Sequence, residues 1–189
     1  MNNIQLPTLK KIAFIGTSCI GKTTILKRVK KHFSDQSDVL FLTEAARIFF
    51  HNNPNIPDRF ASDVQIQIQQ LVIQREHEAQ HQNPTVIVSD RSVLDPSAYA
   101  KANGDEEGSD ALLDNVTNWI PTYSKFLLLD PKGVPFKNDF IRNETIQMRQ
   151  AVHDAFVLIL KNRNIPYKLI TGKREDRVKQ VISLINSYL

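Results

Sequence analysis

The run Gly16-Thr17-Ser18-Cys19-Ile20-Gly21-Lys22-Thr23 carries two glycines five residues apart, then a lysine and a hydroxyl side chain. Glycines at that spacing let the backbone turn tightly enough for successive N–H groups to converge on an anion. A lysine directly after the second glycine would place positive charge on the outer phosphates of a bound polyphosphate, and the Thr23 hydroxyl suits Mg²⁺. The pattern is G-x-x-x-x-G-K-[ST]. With glycine near 7% of residues, a chance match in a chain of this length is roughly one in a hundred or rarer. The expected phosphate cradle therefore runs Gly16, Thr17, Ser18, Cys19, Ile20, Gly21, Lys22, Thr23 and Thr24, and its expected ligands are the phosphates of a nucleotide and Mg²⁺. Cys19 sits at a variable position of the pattern, where a filler role and a redox role are both open.

Further along, acids and arginines stand where apolar runs end. Glu44 follows Val39–Leu42 and has Arg47 three residues on, so the two share a helical face. Asp90-Arg91-Ser92 follows Thr85–Val88. At the carboxyl ends of parallel strands, one acid could take a proton from a hydroxyl nucleophile, and an Asp could hold Mg²⁺ directly or through water. Asp90 joins Thr23 as the candidate metal ligand. The Glu44–Arg47 spacing suits a surface ion pair equally well. Arg142 and Arg149 lie seven apart, two helical turns, on one face. Preceded by a Pro131–Asn138 stretch containing Gly133, they read as a short lid over residues 132–150 that brings positive charge to a transferring phosphoryl group. A basic helix face is the plainer alternative.

The elements that must position these residues follow from periodicity. Ile12–Ile15, Val39–Leu42, Thr85–Val88, Lys125–Leu129 and Tyr167–Ile170 are short apolar runs with strand character. Between them, Ile25, Leu26, Val29 and Phe33 recur at helical spacing, Glu44–Ile48 reads as helical, and further helices are expected over Asp58–Gln82, Glu144–Lys161 and Glu175 to the end. Within Asp58–Gln82, Val64, Ile66 and Ile68 alternate as a strand would, but the length of the segment favours a helix. Gly104–Gly108 reads as an exposed acidic loop. Strands alternating with helices predict an α/β chain: a parallel sheet covered by helices on both faces, three layers, built from right-handed crossovers.

Composition narrows the class. The chain has 189 residues, 41% hydrophobic, with one Cys. That length suits one domain, expected over 1–189. A single Cys excludes an internal disulfide framework or a Cys-rich zinc module. No apolar run approaches the ~18 residues of a membrane span, and no charged segment precedes an apolar core at the N-terminus, so a soluble cytoplasmic protein without a membrane partner is expected. Residues 131–189 hold 11 Lys+Arg against 5 Asp+Glu, and residues 1–130 hold 13 against 15. An excess of that kind points to an anionic partner, a phosphate group or nucleic acid. There is no Asn-Lys-x-Asp guanine-reading motif and no Leu-Ser-Gly-Gly signature, and no Glu follows Asp90 or Asp130 as in many motor ATPases. The small kinases remain.

Four stretches, Phe14–Thr24, Thr43–Arg47, Ser89–Ser92 and the segment from Arg142 to Arg149, carry a resemblance to the nucleoside and nucleotide kinases of the P-loop fold. The likeness is closest to the kinase/ATPase family typified by the nicotinamide riboside kinase domain of the bacterial NAD-biosynthesis regulator. The resemblance implies that Glu44 serves as base with Arg47 beside it on the substrate side, and that Asp90 and Arg91 engage Mg²⁺ or the acceptor. It also implies that Gly172 and Lys173 cradle the adenine. By likeness to the base-reading helix of deoxynucleoside kinases, Gln69 or Gln70 with Arg75 would contact the substrate, a solvated helix face being the alternative. The 189 residues leave no room for the regulator's DNA-binding and adenylyltransferase parts. The expectation is an ATP- and Mg²⁺-dependent kinase acting on a small phosphoryl acceptor such as a nucleoside or mononucleotide. A polynucleotide 5′-kinase and a nucleotide-binding switch without an acceptor are the alternatives.

Overall fold

A computed structural model describes residues 9–136 and 145–189. Its elements run β1 (Lys10–Ile15), α1 (Lys22–His32), β2 (Val39–Leu42), α2 (Ala45–Asn52), α3 (Ser62–Gln80), β3 (Val86–Asp90), α4 (Asp95–Ala102), α5 (Glu106–Asn115), a 3-10 turn (Ile120–Thr122), β4 (Lys125–Leu129), α6 (Ile146–Asn162), β5 (Tyr167–Ile170) and α7 (Arg174–Asn186). The strands form one parallel sheet in the order β2-β3-β1-β4-β5.

The layers follow from the handedness of the crossovers. Among successive strand pairs only β1→β2 steps toward the β2 edge; the other three step toward β5. Right-handed connections therefore put α1 on one face of the sheet and α3, α4, α5 and α6 on the other. The core is split accordingly. Ile12 and Phe14 of β1 point into a cluster with Ile25, Val29 and Phe33 of the α1 side and Val181 and Ile185 of α7. Ala13 and Ile15 point the other way, into a cluster with Val72, Leu94, Leu113, Val152 and Phe156. Successive residues of one strand feed opposite cores, which is why the central strands read as unbroken apolar runs.

A buried polar hub pins α3 to the sheet. Glu76 Oε2 accepts from Lys11 Nζ at 2.8 Å and from Trp119 Nε1 at 2.9 Å, and Oε1 accepts from Tyr123 Oη at 2.8 Å and Ser89 Oγ at 3.0 Å. The Lys11 ammonium also lies 4.2 Å from the Trp119 ring centroid and 4.4 Å from that of Tyr123. Burial depresses the Lys11 pKa, and Glu76 opposes that shift. Glu76→Ala should therefore cost about 3–5 kcal/mol, because it strands a buried ammonium and three donors at once. A thermal melt should fall by ~10 °C; a loss of only a degree or two would mean that water reaches the hub.

The sequence expectations need four corrections. Gly104–Gly108 is not an acidic loop: α5 begins at Glu106, with the Asp105 side chain capping the Gly108 N–H at 2.8 Å. The helix α4 was not expected at all. The long helix starts at Ser62 rather than Asp58, because Asp58 closes a turn by accepting from the Phe60 N–H at 2.8 Å. The helix expected from Glu144 is described from Ile146, capped by Thr145 Oγ1 accepting from the Met148 N–H at 3.1 Å. Among the described residues no helix is long and apolar enough to cross a membrane.

Candidate active site

The phosphate loop joins β1 to α1 and uses its glycines for different reasons. Gly16 has φ +129°, and a Cβ there would meet Ile20 Cδ1 at 2.9 Å and the Leu129 carbonyl oxygen at 3.4 Å, so the loop lies tight against the end of β4. Gly21 has φ +87° with nothing within 4 Å of its would-be Cβ; conformation alone requires glycine there. Gly21 precedes α1 without a side-chain cap, and the first turn of α1 carries no acid. The free N–H groups and the positive dipole end of α1 therefore point into the loop. Thr17 and Ser18 are buried inside it, Cys19 is half-buried, and Thr23 and Thr24 are exposed at the helix start.

Lys22 is buried, and its Nζ donates to the Gly16 carbonyl at 2.7 Å and to the Thr17 carbonyl. Burial, reinforced by the Arg91 charge, lowers its pKa to about 7, against the pull of Asp95, Asp90 and Glu44. An added polyphosphate would raise that value again. Above pH 7, nucleotide binding must then take up a proton, and affinity should fall as pH rises toward 9. Titration calorimetry at pH 8 in two buffers of different ionisation enthalpy should show uptake approaching about one proton, and near zero at pH 6. Equal uptake at both pH values would mean that Lys22 is already charged in the free protein.

Next to the loop, Asp90 and Arg91 end β3. The pairing of Phe14 with Asp90 sets this tip beside the root of the phosphate loop. Arg91 takes φ +82°, turning its side chain back under the loop. Its Nε donates to Glu44 Oε1 at 3.1 Å, and its Nη1 donates to Asp95 Oδ1 at 2.8 Å and to the Gly16 carbonyl at 3.2 Å. One guanidinium thus ties the acid after β2, the acid of α4 and the phosphate loop together. Glu44 is buried, with Oε2 lying 3.5 Å from Arg47 Nη2; the Arg47 side chain is otherwise exposed. The Glu44–Arg47 ion pair is therefore present, on the outer side of a carboxylate whose inner side meets Arg91. Burial raises the pKa of Asp90 against the opposing charges of Lys22 and Arg91, and its Oδ1 is buried with no protein partner.

Those features fit Mg²⁺. An orphaned carboxylate oxygen on Asp90 and an exposed Thr23 hydroxyl flank the loop. Among the described residues no three His, Cys, Asp or Glu side chains gather to cage an ion. Two protein ligands are what Mg²⁺ needs when phosphates and water complete its octahedron.

The remaining candidates are distributed differently. Arg75 reaches the tip of β2, Nη1 donating to the Thr43 carbonyl at 2.6 Å and Nη2 to Thr43 Oγ1 at 3.2 Å. Gln69 does not reach the site: it is 2% exposed, and its Nε2 donates to the Val93 and Leu112 carbonyls at 2.9 and 3.0 Å. Its amide nitrogen ties α3 to the segment before α4 and to the last turns of α5. Gln70 is exposed. Arg149 is buried, and its Nη2 donates to the Pro131 and Val134 carbonyls at 2.8 and 3.0 Å. Arg142 lies outside the described residues. Gly172, at φ +90°, and Lys173 form the turn from β5 into α7. An open cleft of about 560 Å³ is lined by Asp130, Lys132, Phe136, Arg149 and His153, among others.

Sequence reasoning missed Asp95. Its Oδ2 accepts from both the Ser92 N–H at 2.8 Å and the Ser92 hydroxyl at 3.1 Å, while the Leu94 N–H donates to Ser92 Oγ at 3.1 Å. The signal was present as Ser92-Val93-Leu94-Asp95 before Pro96, a capping-box pattern whose acid also lies four residues after Arg91.

Similarity to known proteins fits this geometry. No curated protein matches the chain by sequence. Among solved structures, deoxyadenosine kinase from M. mycoides with dCMP and dCDP superposes with a TM-score of 0.65 at 14% identity, covering 94% of this chain and 99% of that one. The NadR protein in complex with NR superposes with a TM-score of 0.72 at 16% identity, covering 95% of this chain and 49% of NadR, so the chain spans about half the length of that relative. At such identities the likeness shows the fold alone, a three-layer α/β P-loop fold. A family described as AAA domain matches residues 11–177, nearly the whole chain, and the chain belongs to that family.

Proposed function

We propose that this chain is an ATP- and Mg²⁺-dependent kinase that transfers the γ-phosphoryl group to a small acceptor, a nucleoside or mononucleotide. The observation that carries the reading is the Arg91 bridge. A single guanidinium hydrogen-bonds both Glu44 and the carbonyl of the first loop glycine, which fixes a carboxylate at a set distance from the phosphate cradle. A nucleotide-binding loop that only senses its ligand has no need of an acid held there. A kinase does, because the acceptor hydroxyl must lose a proton as its oxygen attacks phosphorus. In this reading the loop N–H groups and Lys22 hold the phosphates, Glu44 takes the hydroxyl proton, and ADP leaves. Thr23 and Asp90 would hold Mg²⁺, which when bound offsets phosphate charge. Gly172 and Lys173 would border the base. The similar solved proteins support it: one is a deoxyadenosine kinase, and NadR has been solved with NAD and AMP-PNP.

The polynucleotide reading loses part of its support. Of the basic residues in the last third, Arg149 and Arg177 are buried among backbone carbonyls, and Arg163 is paired with Asp114 at 3.1 Å. A screen of ADP release across nucleosides, mononucleotides and 5′-hydroxyl oligonucleotides, with and without Mg²⁺, tests the proposal. Release stimulated by a small acceptor and lost without Mg²⁺ is expected. Stimulation by oligonucleotides alone, or by no acceptor, would overturn it.

A further inference from the structure

Arg177 in α7 is 2% exposed and makes three hydrogen bonds, all to backbone carbonyls. Nε donates to Gly172 at 2.7 Å, Nη1 to Asp130 at 2.8 Å and Nη2 to Lys132 at 3.4 Å. The acceptors belong to two different turns, those following β4 and β5. The turn after β4 is gripped from its other side by Arg149, which bonds the Pro131 and Val134 carbonyls. It is also bound to β5 through the Asp130 N–H, which donates to the Ile170 carbonyl at 3.1 Å. Burial lowers the pKa of both guanidiniums. A planar fork with five donors can satisfy three carbonyls at fixed angles; an ammonium cannot.

The strand order gives this clamp a direction. Glu44, Asp90 and Arg91 stand at the tips of β2 and β3, on one side of β1 and its phosphate loop. The transferring end of a triphosphate must face them. Its nucleoside end then lies on the opposite side of β1, over β4 and β5, where Arg177 sits. The turn that Arg177 holds begins next to Leu129, whose carbonyl oxygen would be 3.4 Å from a Cβ on Gly16, so its position is referenced directly to the phosphate loop.

We infer that Arg177 is a positioning residue for the nucleobase. It fixes the spacing between the Asp130–Lys132 turn and the Gly172–Lys173 turn, and so sets base recognition without taking part in phosphate recognition. The inference rests on the kinase reading, specifically on the Gly16–Thr24 loop as the triphosphate site. Its sequence signal is faint: an arginine five residues after a glycine that ends a strand is unremarkable without the fold.

The test compares two ligands on the same protein, ATP and inorganic tripolyphosphate, by titration with wild type, Arg177→Met and Arg177→Lys. Removing the fork should weaken ATP about tenfold or more while tripolyphosphate stays within about twofold. Arg177→Lys, which keeps the charge but gathers its donors on a single nitrogen, should fall between. A general loss of stability would weaken both ligands alike and leave their ratio unchanged, so a parallel loss, or no change in either, overturns the inference. If Arg177→Met does not fold, the ratio in Arg177→Lys decides on the same terms. If wild type binds neither ligand, the phosphate-loop reading itself fails and this inference falls with it. If wild type binds both equally, only the base-side assignment falls.

Discussion

Lys22→Met is expected to abolish phosphoryl transfer in a protein that melts no lower than wild type. The two halves of that expectation have separate causes. Lys22 Nζ is the charge buried at the centre of the loop, bonded to the Gly16 and Thr17 carbonyls, and its burial has already moved its pKa to about 7. Keeping such an ammonium out of water costs the folded state, and methionine fills the same stem volume without that cost. Stability should therefore hold or rise. Catalysis depends on the same group differently. Negative charge moves onto the leaving phosphate as the bond breaks, and a preorganised donor at that point contributes about 10²–10³-fold or more. No neighbour substitutes for it: Arg91 is committed to Glu44, Asp95 and Gly16. Lys22→Arg should fail as well, since a guanidinium does not fit where the ammonium sits 2.7 Å from a carbonyl in a site only 6% exposed. The measurement is acceptor-dependent ADP release alongside a thermal melt. Turnover within about threefold of wild type in folded Lys22→Met would remove the loop from the chemistry.

How far the sequence could be read depended on whether a feature was local. The phosphate loop was legible because every requirement of the nest lies within nine consecutive residues, Gly16 to Thr24. The central strands β1, β3 and β4 were legible because a parallel sheet buried on both faces leaves unbroken apolar runs such as Phe126–Leu129. The edge strand β5 is exposed at Tyr167, Lys168 and Leu169 and was legible only as a short run with strand character. What stayed hidden was set by contacts distant in sequence. Glu76 looks like one more polar residue of a polar-faced helix, yet its partners are Lys11, Ser89, Trp119 and Tyr123. Gln69 lies seven residues earlier on the same helix and read either as a base reader or as part of a solvated face; only packing shows that it is buried with its amide nitrogen on the Val93 and Leu112 carbonyls. Arg149 was legible as a charge in the expected lid segment but not as the clamp of the Pro131–Val134 turn. The helices α4 and α5 were missed for a local reason. Their short apolar content hides behind turn-forming residues: α4 is marked by Pro96 in its first turn and α5 by its Asp105 cap, not by periodicity.

The two acids at the strand tips differ in their surroundings, and the proposed kinase reading gives them different roles. Asp90 and Glu44 both stand at strand tips, but Asp90 has a buried oxygen without a partner while Glu44 is gripped from within by Arg91. An oxygen without a donor in a partly buried place costs free energy that a cation relieves. A carboxylate held by a guanidinium is oriented, as a base must be before its substrate arrives. The division of labour we propose, metal to Asp90 and proton to Glu44, rests on which of the two Arg91 hydrogen-bonds.

That division is tested most sharply by Glu44→Gln. The amide keeps the size of the side chain and can still accept from Arg91 Nε, so the phosphate loop should stay where it is and ATP affinity should change by less than about tenfold. The proton acceptor is gone, however. A positioned base contributes about 10²–10⁴-fold, and transfer to a hydroxyl acceptor should fall within that range. The size of the fall also reports the acceptor class. A phosphate acceptor arrives already anionic and needs no base, so with a mononucleotide the same variant should lose far less, the remaining effect being the loosened grip on Arg91 and Arg47. Arg91→Lys separates the two contributions. It leaves the carboxylate but cannot span Glu44, Asp95 and the Gly16 carbonyl together. If Glu44 is the base and Arg91 its holder, Arg91→Lys should lower kcat for a hydroxyl acceptor by a smaller factor than Glu44→Gln, and the double variant should be little worse than Glu44→Gln alone. Additive losses would mean that Arg91 acts on the phosphates independently, and a wild-type rate in Glu44→Gln would return Glu44 and its two arginines to a purely structural role.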